Sequence, residues 1–477
     1  MSEAAKKLVL AVVDGLTPAV LERGIEECRL PALRFLAEHG TYARGVSVFP
    51  SVTPVCLTSI ATGAAPDVHG IPHLVWYHRE ERRVVEYGSS LAAVMAAGLR
   101  GTIRDSVVDM SGRHLSPSAT TVFEALEDAG LVTGAINYTC YRGRTAHRIR
   151  LPVARGRNRW YESVRGPSRF FFFNLYESDP VGTPLAVRSR TNGSVDAYAV
   201  AAGRWLVTRD GFDFLVYYLP DYDYASHVAG PEGARTALER ADACIAKLLE
   251  AAGGFEEFLE RYAIVVCSDH GQTPVRDVAR LEEAYADLRL LSPRRPRPER
   301  ADVAVVGSNR FGMVYRLPGA RLSVRALAER LDRVDAADVV LFREGEEAVA
   351  RRDGEELRFA PARSDWWTNG DAGLLDPSRY PGGLERAWSA LACERAGDVL
   401  VSAAEGVEFA DLGGRHHRGG GSHGSLLAGD SLVPMLAAGF DVDPLPEQPR
   451  IVDLAPLALS HFGVEPSPGG AALSVHA

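Results

Sequence analysis

Three apolar runs in this chain stop on aspartate: AVVDG at Asp14, VYYLPDYD at Asp221 and Asp223, and IVVCSDHG at Asp269, which His270 follows. Short continuous runs of Val, Ile, Leu and aromatics are the pattern of strands covered on both faces, as in a parallel sheet. Residues 8–13, 132–136, 214–219 and 262–267 fit it, the second least well because Gly134 lies inside it. Helical stretches fall between them. Residues 232–252 place Leu238, Ala241, Ile245, Leu248 and Leu249 on one stripe and stop at Gly253-Gly254. Strands alternating with helices predict an α/β fold, a mainly parallel central sheet flanked by helices. In such sheets ligands bind beyond the carboxyl ends of the strands, so acids far apart in sequence can meet there.

Two regions depart from this alternation. Residues 141–200, with Gly166-Pro167 and the run Phe170 to Phe173, read as a loop-rich excursion over one end of the sheet. Residues 277–400 hold a Pro/Arg stretch (SPRRPRPER), strand-like pieces such as VVLFR, and a hairpin signal at Asp353-Gly354, and read as an inserted, smaller α+β cap. Core character returns with LVPMLAAG as a strand and IVDLAPLALSHFG as a closing helix, which puts the catalytic core at 1–276 and 401–477.

The 62 Asp+Glu outweigh 53 Lys+Arg for a formal charge of -9, and no basic run is interleaved with aromatics, which argues against nucleic acid polymers and anionic membranes as partners. An anionic substrate must then be drawn by a local positive site. Six scattered cysteines without CxxC pairing suggest neither a disulfide framework nor a cysteine zinc site, and with no signal peptide or membrane span the expected location is cytoplasmic. Nothing in the sequence speaks to oligomeric state.

One aspartate after a strand is usually a helix cap or turn former. Histidines beside the carboxylates shift the balance, because His with Asp is the ligand mixture of zinc and similar metals. Asp223 and His227 are four residues apart, within reach of one ion from a single turn; Asp269 and His270 are adjacent; His423 stands in GGGSHGS, whose glycines allow close backbone approach. Thr53, in VFPSVTPVCLTSIATG, reads as an N-cap with Pro54 as the first helical residue. The partial positive charge of a helix N-terminus also favours an alkoxide, which makes Thr53 the candidate nucleophile.

Taken in order, VDG, FPSVT, D-x-x-x-H-x-x-G-P, SDHG and G-x-HG resemble the alkaline phosphatase superfamily, and within it the nucleotide pyrophosphatase/phosphodiesterase branch. The resemblance implies one metal held by Asp14, Asp269, His270 and Thr53 and another by Asp223, His227 and His423; its spacing selects Asp223 over Asp221. Two divalent ions, zinc by preference with manganese or iron as alternatives, would offset three carboxylates and a threonine alkoxide. The implied activity is hydrolysis of a phosphodiester, pyrophosphate or phosphonate through a phospho-threonine. The alternatives are a phosphomonoesterase on the same site and a silent anion-binding protein. Where the branch pattern has T-F-P-N, this chain reads Thr53-Pro54-Val55-Cys56, so Pro54 offers no stacking ring and Cys56 only a weak donor. Cys56 and Tyr224 are the substrate-side candidates.

Overall fold

The computed structural model describes residues 5–151, 160–172, 176–178, 194–363 and 365–465. Its centre is an eight-stranded sheet in the order Gly40–Val46, Leu432–Ala438, Tyr262–Cys267, Lys7–Val13, Phe214–Leu219, Thr133–Ile136, Arg169–Phe172, Tyr176–Ser178. The strands from Tyr262–Cys267 through Arg169–Phe172 run parallel, and antiparallel pairing closes each side. All four expected strands are present within a residue of their predicted bounds, and Leu432–Ala438 and the helices Arg235–Glu250 and Leu454–His461 follow the sequence pattern. The period-2 alternation is visible along the first strand: Leu8, Leu10 and Val12 join one apolar cluster, while Val9, Ala11 and Val13 join the other, where Leu238, Ile245 and Leu248 pack from the long helix.

The aromatic run after Gly166-Pro167 corrects the loop-rich reading. Phe170, Phe171 and Phe172 belong to a strand that pairs in parallel with Thr133–Ile136, because three consecutive buried aromatics fit a strand covered on both faces. Phe173 lies outside the described residues, as does much of 141–200.

A second sheet of seven antiparallel strands runs from Val303–Ser308 to Val399–Ala403. Its hairpin at Asp353-Gly354 has positive φ at both central residues, 53° and 87°, as a two-residue turn of mirror type requires. Met313, Tyr315, Val339 and Leu400 of this sheet share one continuous apolar cluster with Leu8, Leu10 and Val12 of the central sheet. Two buried arginines add polar ties: Arg310 pairs with Asp430 at 2.7 Å, and Arg386 donates to the carbonyls of Val48 and Leu426 and, at 2.6 Å, to Ser431 Oγ. No helix among the described residues is long and apolar enough to cross a membrane.

Candidate metal centre

Asp14 leaves the carboxyl end of Lys7–Val13, Asp269 and His270 follow Tyr262–Cys267, and Asp223 and His227 lie on the helix Asp221–Ala229 that follows Phe214–Leu219. Adjacent parallel strands in register thus deliver all five to one edge of the sheet. Gly15 makes the approach fit: its φ is +70° and a Cβ there would meet Asp223 Oδ1 at 2.8 Å. The glycine-rich segment around His423 has a related reason, since a Cβ on Gly420 would meet the carbonyl oxygen of His227 at 2.0 Å. These glycines let one backbone lie against another and so bring His423 to the carboxylates.

The three histidines are oriented alike. Nδ1 of His423 donates to the Ser51 carbonyl at 2.8 Å, that of His227 to the Gly421 carbonyl at 2.9 Å, and that of His270 to the Gly271 carbonyl at 3.1 Å. A carbonyl only accepts, so each ring carries a proton on Nδ1 and, in its neutral form, turns an unprotonated Nε2 inward, the arrangement of metal-ligating imidazoles. Those Nε2 atoms face carboxylates: His270 lies 3.4 Å from Asp14 Oδ1 and 3.4 Å from Asp269 Oδ2, His227 lies 3.3 Å from Asp223 Oδ2, and His423 lies 4.0 Å from Asp223 Oδ1. Thr53 Oγ1 is 3.1 Å from Nε2 of His270. Thr53 is itself the first residue of the helix Thr53–Thr62, one residue earlier than the sequence suggested, and Val52 takes the cap position.

Charge is concentrated and poorly compensated. Asp14 and Asp269 are buried, and Asp14 Oδ1 and Asp269 Oδ2 meet no hydrogen-bond partner. Burial first, and then the charges of Asp269 and Asp223, raise the pKa of Asp14 well above the usual carboxylate range; burial raises Asp269 as well. Burial opposes ionisation of Asp223 too, but the neighbouring His227, His423 and His270 outweigh it and leave the net shift downward. Burial lowers His423. Orphaned carboxylate oxygens interleaved with bare imidazole nitrogens fit divalent cations with mixed oxygen and nitrogen preference. Ligand atoms of Asp14, Asp269 and His270, and likewise of Asp223, His270 and His423, fall within 4.8 Å of one another.

Asp221 stands apart from this group. It accepts from Ser194 Oγ at 2.6 Å and from the backbone of Val195 and Asp196, anchoring the helix Val195–Val207. Cys56 is wholly buried, its thiol beside Ser47 Oγ at 3.3 Å and the Pro50 carbonyl at 3.9 Å, with burial foremost in raising its pKa. Tyr224 keeps about half of its surface open, at 53%. A further acidic group, Asp105, Asp109 and His114, is already neutralised, because Arg83 holds Asp105 in a two-pronged pair and Arg104 bonds Asp109.

Four supporting residues escaped the sequence reading. Tyr218 donates to Asp14 Oδ2, and its inward place on a strand next to Asp14 was the available signal. Gln272, two residues after His270, donates to Asp223 Oδ1 and accepts from Ser226 at 2.6 Å. His417 stacks on His227 at 4.0 Å and is held by buried Glu408 at 2.6 Å. Asn309, in the inserted sheet, donates from Nδ2 to Nε2 of His423 at 2.8 Å, and nothing local marked it.

The fold is similar to that of phosphonoacetate hydrolase from Sinorhizobium meliloti 1021, both in its complex with phosphonoformate (TM-score 0.61, 20% identity, 96% of each chain covered) and in its complex with phosphonoacetate (TM-score 0.61, 19% identity, 96% of each chain). No curated protein matches the chain. The family model for type I phosphodiesterase / nucleotide pyrophosphatase matches residues 8–426, nearly the whole sequence. The chain therefore belongs to the type I phosphodiesterase / nucleotide pyrophosphatase family, a branch of the alkaline phosphatase superfamily made up of metal-dependent hydrolases.

Proposed function

We propose that the chain cleaves a small phosphodiester, pyrophosphate or phosphonate by in-line displacement, with Thr53 as nucleophile and a phospho-threonine that water then hydrolyses. One observation carries the reading: the Thr53 hydroxyl, at the start of a ten-residue helix, lies 3.1 Å from Nε2 of His270 amid three buried carboxylates. Asp14, Asp269, His270 and Thr53 would hold one divalent ion, zinc by preference, and Asp223, His227 and His423 a second. Bound there, the two would lower the pKa of the attacking group and neutralise charge on the attacking and leaving oxygens. The positive end of the Thr53–Thr62 helix favours the deprotonated hydroxyl. Tyr218 and Gln272 fix the angles of the Asp14 and Asp223 carboxylates.

Residues 277–400 act in this proposal as a cap that shapes the substrate side. Phosphonate is the first substrate class to test, because the solved structures of similar fold hold phosphonoacetate and phosphonoformate. Pro54 offers no ring to stack on a base, which places nucleotides second. Cys56 is enclosed by protein groups, so a donor for the nonbridging oxygens has to come from another residue. Six free cysteines, five of them buried, support a cytoplasmic setting.

The test is turnover of phosphonoacetate, bis-p-nitrophenyl phosphate and p-nitrophenyl phosphate by zinc-loaded protein, with and without chelator. Cleavage of one of the first two, abolished by chelator and reduced about 10³-fold or more in Thr53→Ala, is the expected result. Preference for the third substrate would make the protein a phosphomonoesterase. Absence of all three activities, with Thr53→Ala indistinguishable from wild type, would sink the proposal.

A further inference from the structure

Asn309 reaches the metal centre from the inserted sheet. It forms the turn between the strands Val303–Ser308 and Phe311–Arg316, with a left-handed φ of 57° that asparagine tolerates well. The turn is clamped onto the segment carrying His423: the Arg310 amide donates to the His423 carbonyl at 2.7 Å, and the Phe409 amide donates to the Asn309 carbonyl at 2.7 Å. Arg310, fully buried, locks the same turn to Asp430. The side chain of Asn309 is only 6% exposed. Its Oδ1 accepts from Ser308 Oγ at 3.0 Å, which directs Nδ2 toward Nε2 of His423, 2.8 Å away.

That last hydrogen bond uses the lone pair by which His423 would serve as a ligand. Once Nε2 is committed as a ligand, the amide N–H needs a different acceptor, and a buried donor left unpaired is costly. The clamped turn keeps Asn309 beside the candidate ligand set, and Ser308 on Oδ1 keeps Nδ2 aimed into it. The acceptor that arrives with the reaction is a nonbridging phosphoryl oxygen. The fully enclosed Cys56 thiol is poorly placed to supply a donor there.

Resting on the function proposed above, we infer that Asn309 is a substrate-binding residue whose amide N–H donates to a nonbridging oxygen of the phosphoryl or phosphonyl group. The inserted sheet would then take part directly in phosphoryl recognition, and the class of ligand it serves is a tetrahedral oxyanion.

The experiment measures inorganic phosphate binding to the zinc-loaded full chain by calorimetry, alongside zinc binding to the chelator-treated protein. Asn309→Gly removes the amide and suits the left-handed turn; Asn309→Asp keeps shape and turn but replaces the donor by an acceptor. Loss of one donor to a charged oxygen is expected to weaken phosphate binding on the order of 10- to 100-fold in both variants. In Asn309→Gly the zinc dissociation constant should stay within about threefold of wild type, since the inferred role excludes holding the ion. Phosphate affinity equal to wild type in either folded variant overturns the inference. So does a larger shift of the zinc constant in Asn309→Gly, which would assign the residue to the ion and not to the substrate. A wild-type protein that binds phosphate yet hydrolyses none of the three test substrates would defeat the proposed function, while the phosphate measurements would still decide the role of Asn309.

Discussion

The two sheets solve the problem of buried charge in opposite ways. The central sheet gathers Asp14, Asp223 and Asp269 at the carboxyl ends of its parallel strands, buried, with oxygens of Asp14 and Asp269 left without donors. The inserted antiparallel region contributes buried cations, Arg310 and Arg386, whose guanidinium groups mostly find carboxylate, hydroxyl or carbonyl partners in the rest of the protein. The unpaired oxygens of Asp14 and Asp269 lie where the proposed ions would bind, whereas the Arg310 and Arg386 pairs fasten one part of the fold to another. Burial alone does not separate the two; what does is whether an opposite charge or only other carboxylates and imidazoles stand beside the group.

The contrast can be broken most forcefully at Arg310. Arg310→Ala leaves Asp430 buried and uncompensated, and should destabilise the protein by about 3–5 kcal/mol in chemical denaturation, whereas Arg310→Met combined with Asp430→Leu should recover most of that loss. Equal losses in the single and double variants would show that the pair is not what fastens the turn. On the other side of the comparison, Gln272→Ala should weaken zinc binding by about 10- to 100-fold while thermal unfolding of the metal-free protein changes little, because Gln272 orients a carboxylate and does not join the sheets. An unchanged zinc titration would remove Gln272 from the centre.

A further effect concerns pH. Asp196, in the central half, is raised to about 8 by burial and then by the charge of Asp221. A carboxyl whose folded pKa lies above its unfolded value near 4 holds a proton in the folded state that the unfolded chain has released, so stability falls as pH rises through that window. Between about pH 4 and pH 8 the wild type should therefore lose stability relative to Asp196→Asn by up to about 1.4 kcal/mol per pH unit. Parallel curves for the two proteins would show that Asp196 does not titrate in this range.

How much of this was legible in the sequence follows from how local each signal is. Asp14, Asp269 and His270 could be read because a strand and the residue after it are one continuous segment. Asp221 and Asp223 looked alike, and only the structure shows Asp221 spent on the helix that begins at Val195. His423 depended on resemblance, since its partners come from Ser51 and Asp223. The strand at Phe170–Phe172 was misread because Gly166-Pro167 signalled a loop just before it. Asn309 left no trace: its contact lies 114 residues along the chain, made by a turn whose composition says only that it is a turn.

Asp14 and His423 stand more than 400 residues apart in the sequence, yet the fold brings them to one site. The five sheet-edge residues Asp14, Asp223, His227, Asp269 and His270 all precede His423, and until its segment docks the Ser51 carbonyl lacks the ring it holds. In the proposed centre, ion capture would therefore require the glycine-rich segment to fold back over hundreds of intervening residues, so it would report on long-range closure of the fold and not on any local element.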